Sequence, residues 1–293
     1  METSPASLAI IADLLAARTG QQLTEGRKWR VGTALSSVFR SQGVENLDQL
    51  VCLLDAPRRR TTDQDLATEV VEALLNNETY FFRDKPTFDQ IPEDLLPELA
   101  RRRERTKRLS IWCAGCSTGQ EVHSLAMLFE DRKSQWDGWT IDILGTDISH
   151  KVIRTARTGL YSQFEVQRGL GVAQMLRHFE ETPEGWQIHD HVRQTTRFQQ
   201  HNILSAPPSR KSFDLILCRN VLLYFDPETR AKAFAQLSGA LADDGFLMLG
   251  AGETVIGQTR IFTPSPGRSS IYTLDQRKAE NREPQKRAML TPF

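Results

Sequence analysis

The sequence predicts a two-part protein: an all-helical stretch over residues 1–100, then an open α/β sheet over residues 109–275 with a small antiparallel insertion at about 159–200. Three observations carry this. Before residue 100 apolar residues recur only at helical spacing, and after residue 109 short apolar runs alternate with amphipathic stretches. Between them and the C-terminal strands, one region with Gly159, Gly169, Gly171 and Pro183-Glu184-Gly185-Trp186 breaks the alternation. A length of 293 residues accommodates two such parts at roughly 150 residues per domain.

In order along the chain, Leu8, Ile11, Leu14 and Leu15 form a first helical stripe, with a stop signal at Gly20. Val31, Leu35, Val38 and Phe39 form a second, ended by Gly43, and Leu47, Leu50, Val51 and Leu54 follow Asn46 as cap. A fourth helix spans about 62–75. The segment Asn76-Asn77-Glu78-Thr79-Tyr80-Phe81-Phe82-Arg83-Asp84 fits neither period, which marks it as a candidate site. An Arg-rich run then reads as a solvated helix end and a linker over 101–108. Strands follow at LSIWCAG, IDILGTD, FDLILCRN, FLMLGAGE and SSIYTLD, with helices over 120–131, 149–158 and 227–241, in the manner of a Rossmann sheet. Within the insertion, QIHDHVRQTTRFQQ alternates with a period near two. Residues 276–293 are polar and aperiodic, as in a flexible tail.

Composition narrows the function. Lys+Arg and Asp+Glu are both 37, so no global field attracts nucleic acid or an anionic membrane. The early apolar stretch carries Asp13 and lacks a basic lead, unlike a signal peptide, and no run reaches spanning length. Four scattered cysteines point to free thiols in the cytoplasm.

Ligands of such sheets bind beyond the strands' carboxyl ends. The loop Ala114-Gly115-Cys116-Ser117-Thr118-Gly119-Gln120-Glu121 lets backbone approach a ligand closely, yet it is neither G-x-G-x-x-G nor a phosphate loop, which disfavours polyphosphates. Asp147 can accept hydrogen bonds from both ribose hydroxyls or serve as a helix cap. Glycine loop and strand-end acid together indicate an adenosine-type ligand. Asn220 and Tyr224 can face the cleft or pack, and Asn202 can be a ligand contact or a turn residue. Cys113-x-x-Cys116 lacks a second pair for zinc, and His189 with His191 lacks a third ligand, so no metal is expected. The runs Arg58–Arg60 and Arg101–Arg108 are not interleaved with aromatics, so they read as solvated faces.

The segments NNETYFFRDKPTF, IWCAGCSTGQEVHSLAM, ILGTDIS, QHNIL, FDLILCRNVLLYFD and GFLMLGAGET, spanning about residues 76–254, resemble the chemotaxis-receptor (CheR-type) glutamate O-methyltransferases, which use S-adenosylmethionine. The resemblance implies a helical N-terminal domain that docks receptors and a methyltransferase domain with a small β subdomain. It implies a cofactor pocket of Asn77, Thr79, Arg83, Gly115, Glu121, Asp147, Asn202, Ile203, Arg219 and Asn220, with Arg83 and Tyr224 acting on the reacting groups. S-adenosylhomocysteine would be the product, and cytoplasmic helices of methyl-accepting chemoreceptors the partner. Gln120, Val122 and His123 depart from the family, which has an acidic residue, Pro and Tyr there. A glutamate carboxylate needs no general base, since it is ionised at neutral pH, so positioning suffices.

Docking is expected through Arg27, Lys28, Arg30 and Arg40 on the second helix. The turn at 181–185 is short and poor in Gly, which argues against tethering of a receptor tail to the insertion. A monomer is expected. The alternatives are a non-catalytic S-adenosylmethionine-binding signalling module and a methyltransferase for another acceptor. Retention of Arg83 and Tyr224 argues against the first. The strand end Cys-Arg-Asn-Val, unlike the Asn/Asp-Pro-Pro-aromatic turn of amino-methylating DNA enzymes, argues against the second.

Overall fold

The computed structural model describes residues 4–55 and 65–275. The run Arg58–Arg60, the start of the fourth helix and the expected tail at 276–293 lie outside the described residues. Among those described, one compact unit holds the chain up to Glu78 together with Tyr224–Thr229, and the other holds Thr79–Leu223 together with the chain from Arg230.

The first unit is helical: α1 (Pro5–Thr19), α2 (Glu25–Lys28), α3 (Val31–Ala34), α4 (Ser36–Gln42), α5 (Leu47–Asp55) and α6 (Leu66–Leu74). α1 and α4 end at Gly20 and Gly43, and Asn46 accepts from the Gln49 N–H at 3.0 Å ahead of α5. The second expected helix is three short pieces, yet its stripe holds, because Val31, Leu35 and Val38 join Ile11, Leu15, Leu47, Leu50, Val70, Val71 and Leu74 in one core.

The second unit opens with α7 (Lys85–Phe88), a π-helical turn (Ile91–Leu95) and α8 (Leu96–Arg102). These helices bury Phe88, Ile91, Leu95, Leu96 and Leu99 in the same core as Leu109 and Ile111 of the first strand. The division at Glu78/Thr79 therefore falls before the expected 101–108 linker, since a helical period does not reveal which core a helix covers. Arg103 is not solvated either: it donates to Asp214 at 2.6 Å and to Asp244 at 2.5 Å.

The strands are β1 (Arg108–Ala114), β2 (Thr140–Asp147), β3 (Leu160–Tyr161), β4 (Phe179–Thr182), β5 (Gly185–Ile188), β6 (Thr196–Gln200), β7 (Phe213–Cys218), β8 (Leu241–Leu249), β9 (Phe262–Pro264) and β10 (Ile271–Leu274). The larger sheet has seven strands in the order β6-β2-β1-β7-β8-β10-β9, and the smaller has the order β3-β5-β4. β6, β2, β1, β7 and β8 run parallel, while β10 is antiparallel to β8 and β9. β7 is buried at every position, as a strand covered on both faces must be.

The intervening helices are α9 (Gln120–Asp131), α10 (His150–Thr158), α11 (Gln163–Gln167), α12 (Val172–His178), α13 (Asp190–Arg193) and α14 (Pro227–Ala240). Ser149 caps α10 by accepting from the Val152 N–H. The antiparallel insertion is present but ends near residue 188. Thr196–Gln200, expected inside it, is instead a parallel edge strand on β2. A half-exposed edge strand alternates just as an antiparallel hairpin does, so period two could not separate them. No helix among the described residues is long and apolar enough to cross a membrane.

Candidate functional site

The carboxyl ends of β1, β2, β6 and β7 carry the expected polar residues, and backbone geometry holds them together. After β1 the chain turns at once: the Gly115 and Cys116 N–H groups both donate to the Thr146 carbonyl at 2.8 Å. Gly115 has φ +83°, and a Cβ there would lie 2.4 Å from Cγ2 of Val221, so the loop after β7 leaves room only for hydrogen. Gly115→Ala is expected to cost about 1–2 kcal/mol in backbone strain and, by displacing Val221, to weaken adenosine-ligand binding about tenfold, the equivalent of about 1.4 kcal/mol. Calorimetry beside a thermal melt checks both.

Asp147, half-buried at the end of β2, accepts from Ser117 N at 2.9 Å and Ser149 N at 3.0 Å. It thus ties the glycine loop to the turn that leads into α10, whose cap is Ser149. Asn202 accepts from Leu204 N at 2.9 Å, the turn arrangement. Ile203 is buried beside it, and the His201 N–H donates to the Asp147 carbonyl at 2.8 Å, tying this loop to β2.

Arg219 is the charged centre. Its side chain, 1% exposed, donates to Glu121 Oε2 at 2.9 Å, to the Arg83 carbonyl at 2.7 Å and to Asp84 at 3.2 Å. It therefore joins β7, the first turn of α9 and the segment around Arg83. That segment is held in unusual backbone: Phe82 and Asp84 have φ 52° and 54°, and Phe82 N donates to Ser124 Oγ at 3.0 Å. The guanidinium carbons of Arg83 and Arg168 lie 5.5 and 4.6 Å from the Tyr80 ring centroid.

Asn220 adopts φ 61°. The cause lies in Glu253, beyond β8, whose carboxylate accepts from the N–H groups of Asn220 (2.7 Å), Val221 (3.0 Å), Leu222 (2.7 Å), Leu223 (3.2 Å) and Gly250 (2.9 Å). Sequence reasoning did not nominate Glu253, and it marked Asp84 only as the last residue of the segment 76–84. Their only signals were an acid after a Gly-Ala-Gly turn and an acid following Arg83. Thr79 begins this unit, whereas Asn77 and Tyr224 belong to the helical one.

Comparison with known proteins is decisive here. A family model described as CheR methyltransferase, SAM binding domain, matches residues 77–271. Chemotaxis protein methyltransferase 1 of Pseudomonas aeruginosa is 31% identical over 259 residues, covering 87% of this chain and 92% of that protein. A chemotaxis protein methyltransferase of Vibrio parahaemolyticus is 32% identical over 251 residues, covering 85% and 89%. The chain belongs to the CheR methyltransferase family.

The residues of this CheR-family chain fit S-adenosylmethionine. Arg219 Nε and Asn220 Oδ1 are buried with no protein partner, one donor and one acceptor beside the glycine loop. A ligand bearing an ammonium, a carboxylate and a ribose diol can satisfy both kinds of group. Cys113, Cys116 and Cys218 are all buried, and burial pushes each thiol up, so they stay protonated and inert.

His123 is fully buried, with Nε2 3.2 Å from the Ala156 carbonyl. Burial pulls its pKa down to about 4, against the pull of that carbonyl. The unfolded chain takes up the proton near 6.5, so stability is full above that pH and falls by up to about 3 kcal/mol on acidification to about 4. In His123→Phe this part of the slope is expected to vanish, read as denaturation midpoints across that window.

Proposed function

We propose that the chain transfers a methyl group from S-adenosylmethionine to glutamate carboxylates of chemoreceptors, forming methyl esters for sensory adaptation. The observation that carries this is the Arg219 centre beside the glycine loop, in a chain of the CheR family. When bound, S-adenosylmethionine supplies a methyl on a positively charged sulfur, so a carboxylate oxygen gains the C–O bond while the S–C pair returns to sulfur.

The protein's own part is then to bind and align. Asp147 presents an acceptor pair suited to a ribose diol. Arg219, Asn220, Glu121 and the glycine loop, with Asn77, Thr79, Asn202 and Ile203, would hold the rest. Arg83 is always charged and cannot be a base, but its guanidinium can orient a carboxylate. Tyr224 can hydrogen-bond the same group. Such alignment supplies the catalysis, because the nucleophile is ionised without help.

The helical unit would meet the acidic receptor segment, with Lys28, Arg30 and Arg40 as the basic residues, while Arg27, also expected there, is turned onto the Leu74 carbonyl and the Tyr224 ring. Receptor-tail peptides are expected not to bind the antiparallel insertion, and titration tests that finer point.

The test is transfer of labelled methyl to receptor-containing membranes. Base-labile label that is lost in Arg83→Ala is expected. Cofactor binding without any transfer would overturn the reading in favour of a signalling module.

A further inference from the structure

We propose that Asn76 and Arg27 are positioning residues for Tyr224, turning its hydroxyl proton toward the carboxylate that receives the methyl. The inference rests on the reading above, in which Tyr224 acts at the reacting groups.

Backbone contacts first fix where Tyr224 sits within the helical unit. Gln22 N donates to the Tyr224 carbonyl at 2.8 Å, Gln21 forms an antiparallel bridge with Phe225, and Gln22 Nε2 donates to Asp226 at 2.9 Å. These leave the ring and its C–O–H torsion to be set by side chains. Asn76, next to the end of α6, donates from Nδ2 to the Tyr224 hydroxyl oxygen at 2.5 Å. A phenol has one proton and acceptor capacity, so an amide N–H that occupies the acceptor side leaves the O–H free to donate elsewhere. A carboxylate, which only accepts, is the matching partner.

Arg27 acts on the ring. Its guanidinium carbon lies 5.1 Å from the Tyr224 ring centroid, anchored by donation from Nη2 to the Leu74 carbonyl at 2.9 Å. A cation over the ring face favours electron density on the phenol, including the share that builds on oxygen when the O–H donates. Nη1 of Arg27 is buried with no partner, and Arg27, Arg30 and Asn76 border a cavity of about 80 Å³. Arg27 is thus committed to this corner of the unit by burial as well as by charge.

The experiment is a set of coupling cycles with Tyr224→Phe, measuring kcat and KM for receptor, with S-adenosylhomocysteine affinity by calorimetry as a readout independent of turnover. Asn76→Ala is expected to lower kcat about fivefold, the value of one hydrogen bond, and Arg27→Met roughly threefold. Asn76→Asp, isosteric but acceptor-only, is expected to be worse than Asn76→Ala because it competes for the Tyr224 proton. All three losses should disappear in the Tyr224→Phe background, with product affinity unchanged; Asn76 is exposed, and Arg27→Lys, which keeps the cation, guards against a folding effect at Arg27. Losses of equal size in both backgrounds would overturn the inference. So would wild-type turnover by Tyr224→Phe, which leaves the methyltransferase reading intact, whereas absence of base-labile transfer by the wild type overturns both.

Discussion

Arg219→Met is expected to abolish measurable binding of S-adenosylhomocysteine and to destabilise the fold by about 3 kcal/mol, the low end for a broken buried ion pair. The low end applies because its two acidic partners differ in exposure: the Glu121 side chain is 14% exposed and can recover little hydration, whereas Asp84 at 30% recovers more. Binding suffers more than stability, because the same guanidinium also holds the Arg83 carbonyl, so its loss releases the segment on which Arg83 stands. The double variant Arg219→Met with Glu121→Leu separates the two effects. Removing both charges should restore most of the stability, since a buried pair replaced by apolar groups is near neutral, while binding stays lost. Urea midpoints and calorimetry on the same preparations measure each. Recovery of binding in the double variant would show that Arg219 serves the fold alone.

The sheet was legible because its strands are buried runs bounded by turns, and α9 spans the expected residues 120–131. Burial writes itself into composition at each position. What composition cannot record is which partner a surface meets, and the misread elements fail for that reason. α8 has the period of any amphipathic helix, and Thr196–Gln200 has the alternation of any half-exposed strand, so their placement waited on three dimensions. Within the site, Asp147 and Asn220 were legible as polar residues at strand ends, whereas Arg219 entered only through the family resemblance. Their protein partners were less so. Asp84 gains its place from positive φ at Phe82 and at itself, conformations that carry no pattern when the residue is not Gly. The segment 76–84 was still marked, because its mismatch with both periods reflects backbone that is neither helix nor strand.

Glu253 is the clearest instance, and its removal is the second large effect expected. Its carboxylate accepts from five backbone N–H groups, those of Gly250 and of the consecutive residues 220–223. Backbone donors belong to every residue, so no sequence pattern announces such a hub. Energetically it resembles an anion bound in a concavity of amides, with charge-assisted bonds stronger than neutral ones. In Glu253→Ala the donors of Leu222 and Gly250, both buried, lose their acceptor, and a cost of about 4 kcal/mol follows from two orphaned groups at about 1–3 kcal/mol each. Glu253→Gln is expected to fall between. Its oxygen can serve either the Val221–Leu223 group or the Asn220 and Gly250 pair, and its NH2 must then confront the other set donor to donor. Because Asn220 holds φ 61° only under this restraint, both variants should also weaken S-adenosylhomocysteine binding, Glu253→Ala by more than a hundredfold if most of the 4 kcal/mol reaches the loop. Denaturant midpoints with binding isotherms decide it. A Glu253→Gln protein as stable and as tightly binding as wild type would mean that neutral acceptance suffices and that the charge of Glu253 does not shape the loop.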